Sequence, residues 1–68
     1  MNKIREIANQ QGRKLVWLGK QIDQTRSAMD WKINKDRFTP YERATLAQAL
    51  LVSEAELFPE TVQEVASA

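Results

Sequence analysis

"LGKQIDQTRSAMDWKIN", residues 18–34, is the stretch on which the fold of this chain turns. Leu18, Gly19 and Ile22 continue an apolar stripe begun at Leu15, at the spacing of one helix face. The stripe stops at "DQT", which has neither Gly nor Pro, although Asp23 tolerates turn geometry better than most residues. Thr25 can then cap a helix running roughly over Arg26–Asn34. Two short helices joined by a three-residue turn form the helix-turn-helix pattern.

Further helices lie on both sides. Upstream, Ile4, Ile7 and Ala8 share a face of a helix over about Asn2–Gln11 that Gly12 ends, and the second helix spans about Lys14–Ile22. Downstream, "NKDRF" is a polar connection whose Phe38 has the character to fold back on the core. "TPYE" follows: Thr39 as N-cap, Pro40 at the first helical position and Glu42 completing a capping box. That helix should reach about Leu51 and bury Leu46, Ala47 and Leu50. In "SEAE", Ser53 caps and Glu56 reaches back; Leu57 and Phe58 then dock a last short helix, which Pro59 stops. No segment alternates like a strand. The expectation is an all-α domain of four or five helices over residues 1–59. A short tail, 60–68, carries Val62 and Val65 at helical spacing and is expected to be loosely ordered.

Composition narrows the function. The 68 residues contain neither cysteine nor histidine, so disulfides, thiolate ligands and the commonest general base are unavailable. No catalytic residue, metal or other cofactor is expected, and no carboxylate-rich loop has calcium-site spacing. Nothing is apolar for long enough to suggest a signal peptide or a membrane span, so the expected setting is soluble and cytoplasmic, with no small-molecule ligand. Charge is divided unevenly. Residues 1–39 hold nine Lys/Arg against four acids, a net of +5, and residues 40–68 hold one arginine against five glutamates, a net of −4. Such a split reads either as a basic face for a polyanion, most often nucleic acid, or as an ordinary mixed surface.

The block "LAQALLVSEAELF", residues 46–58, resembles the closing signature of the Cro/lambda-repressor-like (Xre-type) domain. There a helix ending in Leu-Ala-x-x-Leu leads to a short helix of the form x-Val-Ser-x-x-x-Leu-Phe. "LGKQIDQTRSAMDWKINKDRF" resembles the family's motif, closest to phage-type members in which Lys-Ile-Asn closes the recognition helix and Phe-Thr opens the next. The likeness covers residues 4–58. Three positions depart from it: Gly19 stands where Ala is usual, Asp23 where the turn glycine is usual, and Gln24 where a buried aliphatic is usual. The demand at position 19 for a small side chain is still met. The resemblance implies a site-specific, duplex-DNA-binding transcriptional regulator of the phage or mobile-element repressor type. It would act as a homodimer on a two-fold operator, with the third helix in the major groove. The alternative is the same fold as a protein-interaction module, such as an antirepressor or antitoxin.

Helical phase then assigns the contacts. Met29 and Ile33 mark the buried face of the third helix, which leaves Ser27, Asp30, Trp31 and Asn34 on the other side. Trp31 either tucks sideways against a neighbouring helix or meets a thymine methyl or a sugar. Arg26 can grip guanine O6 and N7 together, or serve as a phosphate contact or solvated charge. Thr25 and Ser27 suit phosphate or base. Asp30 either accepts from cytosine N4 or orients Arg26. The flanking phosphate contacts would be Arg13, Lys14, Lys20, Lys32, Lys35 and Arg37; Asn34 matches a position the family uses against phosphate. Trp17 is expected to be partly buried, to flank the phosphate backbone or to join a dimer contact.

Overall fold

The computed structural model describes residues 2–59. They form five helices: α1 (Ile4–Gln11), α2 (Leu15–Gln21), α3 (Arg26–Lys35), α4 (Pro40–Ala49) and α5 (Glu54–Leu57), with no strand among the described residues. The tail over 60–68, including Val62 and Val65, lies outside them. Among the described residues no helix is long and apolar enough to cross a membrane.

Each helix turns one apolar face to a common core: Ile4 from α1, Leu18 from α2, Met29 from α3, Leu46 from α4 and Leu57 from α5 are all fully buried. Burying a side chain of this size contributes about 1.5–3 kcal/mol, so the faces hold the domain together. α2 is central, packing on both α3 and α4, and α5 packs on α4. Phe38 does fold back, its ring 5.5 Å from that of Phe58 and tilted by 60°.

One closing device recurs at the ends of α1 to α4. A residue with positive φ turns the chain, and the next N–H donates to a carbonyl five residues back. The turning residues are Gly12, Asp23, Asp36 and Leu51. The bonds are Arg13 to Ala8 (2.8 Å), Gln24 to Gly19 (2.7 Å), Arg37 to Lys32 (3.0 Å) and Val52 to Ala47 (3.0 Å). Each bond satisfies a carbonyl that a helix end leaves unpaired. The turn at Leu51 corrects the reach of the fourth helix, which ends at Ala49 instead. α1 likewise begins at Ile4 rather than Asn2, because the Asn2 amide donates across the fold to the Ile33 carbonyl (3.2 Å) and to Asp36 Oδ1 (2.9 Å).

The turn at Asp23 draws Gln24 over α2. A methyl at Gly19 would lie 2.4 Å from the Gln24 carbonyl oxygen and 3.0 Å from Met29 Cγ. The tolerance at this position is therefore narrower than a small side chain: only hydrogen fits.

The capping box at α4 is complete, with Thr39 Oγ1 accepting from Glu42 N (3.1 Å) and Glu42 Oε1 accepting from Thr39 N (3.0 Å). At α5 the Ser53 hydroxyl accepts from Glu56 N (3.1 Å), while the Glu56 carboxylate reaches back to that hydroxyl (3.4 Å) instead of the backbone. Glu42 also accepts from Lys32 Nζ at 3.2 Å, in a pair that is largely buried. Burial alone would raise the Glu42 pKa. The Thr39 backbone hydrogen bond and the bond and charge of Lys32 outweigh it, and the carboxyl titrates below its ordinary value. A depressed carboxyl stabilises the fold above the ordinary glutamate range, and that contribution is lost as pH falls through the folded value. Glu42→Gln should therefore cost about 1 kcal/mol at pH 7 and less at pH 3, below the ordinary glutamate range. Thermal melts of both proteins at the two pH values check this; equal losses at both would show that the ionised carboxylate is unimportant.

Candidate nucleic-acid interface

The surface of α3 follows from its two ends and its buried stripe. Thr25 caps it, with Oγ1 accepting from Ala28 N at 3.1 Å, and Asp36 closes it. Met29 and Ile33 anchor it to the core. With those two inward, Arg26 and Ser27 in the first turn are exposed, and Trp31 is 56 % exposed. The ring does not tuck sideways into a neighbouring helix. Neither Arg26 nor Ser27 has a hydrogen-bonding or ionic side-chain partner among the described residues. The exposed indole lies on the face opposite Met29 and Ile33, and the guanidinium and hydroxyl stand at the N-terminal turn of the same helix.

The flanks of that face differ from expectation in two places. Asp30 and Lys32 each lie about 80° from the centre of the buried stripe, on opposite sides of α3. On one flank Asp30 does not reach Arg26. It accepts from Arg5 of α1, Nη2 to Oδ1 at 2.8 Å, and the other Arg5 nitrogen donates to Asn34 Oδ1 at 2.9 Å. On the other flank the Lys32 side chain is largely buried. Its ammonium is held by Glu42 and lies 5.8 Å from the centre of the Phe38 ring. Lys32 thus ties α3 to α4, and its ammonium, expected against phosphate, is engaged within the fold.

The remaining cations stay outside. Arg13, Lys14 and Lys20 line one shallow groove with Val16 and Trp17. Trp17 packs partly against the core, and the Arg13 guanidinium carbon sits 4.5 Å from the centre of its ring. Such stacking fixes a long, flexible side chain while leaving its N–H groups available. Lys35 and Arg37 are exposed at the far end of α3. Among the described residues Lys14, Lys20, Arg26, Lys35 and Arg37 have no ion pair.

Arg5 is the functional candidate that reading the sequence passed over. Its signal was available but weak: two acceptors, Asp30 and Asn34, at i and i+4 on α3, and an unassigned cation in the basic half. No family model, curated protein or solved structure matches the chain. The likeness to the lambda-repressor-like domain thus rests on the quoted motifs.

Proposed function

We propose that the chain is a helix-turn-helix transcriptional regulator of the Cro/lambda-repressor-like type. It binds duplex DNA site-specifically, with α3 in the major groove and Thr25, Arg26, Ser27 and Trp31 toward base edges. One observation carries this reading: α3 turns Trp31 outward, opposite Met29 and Ile33, although a helix of a small domain normally buries its aromatic residues. The groove is wide enough for a helix, and its edges offer the acceptors and thymine methyls that such side chains match. Arg13, Lys14, Lys20, Lys35 and Arg37 supply the sequence-independent attraction to phosphate. In this family's docking geometry a homodimer spans two half-sites about one helical turn apart.

Selection of bound sites from a pool of random duplexes tests the proposal. Enrichment of a two-fold site is the expected result, and failure to enrich any sequence would overturn it. Affinity should also fall steeply with salt. If a dimer neutralises about six phosphates, log Kd against log salt concentration should change with a slope of magnitude roughly 5. A flat salt dependence would favour a protein partner, for which exposed Trp31 and Tyr41 would serve equally.

A further inference from the structure

Arg5 stands on α1, outside the two helices of the proposed DNA-reading motif, yet its guanidinium engages α3 at two points one turn apart. A planar fork can donate to two such acceptors at once; the compact ammonium of a lysine cannot span them in the same way. The ion pair is open to water, with side-chain exposures of 50 % for Arg5 and 38 % for Asp30. Exposed pairs of this kind add little to folding stability. Its location is more informative than its strength.

Asp30 is the one acid within α3 and directly precedes Trp31. A bare carboxylate there would oppose the phosphates on either side of the groove. Arg5 removes that opposition by holding Oδ1. We infer that Arg5 is a positioning residue of the recognition surface, cancelling the charge of Asp30 beside Trp31. This rests on the DNA-binding reading above and adds a residue to it from α1.

The test is a double-mutant cycle of the wild type, Arg5→Ala, Asp30→Asn and the double variant. Each is titrated with the duplex selected by the wild type and with a shuffled duplex of equal length, and each is melted. Arg5→Ala should weaken binding to the selected duplex about tenfold by uncovering the carboxylate. Asp30→Asn should stay within about threefold of wild type. The double variant should recover to within about threefold of Asp30→Asn, because no charge then remains to be cancelled. Melting midpoints should agree within about 3 °C across the set.

A double variant as weak as Arg5→Ala would overturn the inference, because Arg5 would then act as a direct phosphate contact. A melting loss shared by Arg5→Ala and the double variant would also overturn it, showing Arg5 to be structural. If the wild type binds neither duplex, the DNA-binding reading fails and this inference with it. Binding by the wild type without rescue removes the inference alone.

Discussion

Gly19→Ala is expected to destabilise the domain by about 2–3 kcal/mol, although alanine favours a helix over glycine by about 1 kcal/mol. The new methyl would stand 2.4 Å from the Gln24 carbonyl oxygen. That oxygen belongs to the backbone and cannot rotate away as a side-chain tip can. Gln24 N also donates to the Gly19 carbonyl at 2.7 Å, so the two backbones are tied at the point where they would have to separate. Behind the methyl lies Met29 Cγ at 3.0 Å, and Met29 is fully buried. Relief on one side therefore means compression or displacement on the other. A domain of this length has only about 3–5 kcal/mol of core stability to lose. The melting midpoint should fall by about 10–20 °C, and duplex binding should weaken with it because α3 shifts on α2. Thermal melting of the single variant is sufficient. A midpoint at or above wild type would mean that α2 and α3 separate freely and that the turn at Asp23 does not hold them together.

Trp31→Ala should separate recognition from stability. The ring is more than half exposed and lies opposite Met29 and Ile33, so its removal opens no core cavity. The cost to folding should stay well below the roughly 3–5 kcal/mol of emptying a buried site of that size. Binding to the selected duplex should weaken by about 1–3 kcal/mol if the ring meets a base edge, while affinity for a shuffled duplex barely changes. Melting and titration on the same preparation decide the matter. A stability loss on the core scale would place Trp31 in the interior. Equal losses on both duplexes would make it a general backbone contact instead.

Particular elements show where reading the sequence succeeds. The cap at Thr39 followed by Pro40 and Glu42 is chemistry within four consecutive residues, so α4 was legible at its start. Its end was not, because the turn is made by Leu51, which is 89 % exposed and has a φ of 59° that residues of its type seldom adopt. The buried stripe of α3 was equally legible from Met29 and Ile33, and so was the outward direction of Trp31. The roles of Asp30 and Lys32 were not. A helical wheel places both at the margins of the buried face and treats the margins alike.

Local pattern thus determined the helices, their caps and the direction each buries, because periodicity and capping depend on residues within one turn of each other. It also determined the division of charge between the two halves of the chain, which needs only counting. Which neighbour covers each flank of α3 was left to the tertiary structure. α1 supplies Arg5 to Asp30 and Asn34, across 25 and 29 residues of chain, and α4 supplies Glu42 to Lys32. The same structure decided that Gly19 admits no side chain, because the Gln24 carbonyl that forbids one arrives through the turn at Asp23. Contacts of this kind depend on how helices are set against one another, and the spacing of residues along a single helix does not encode that.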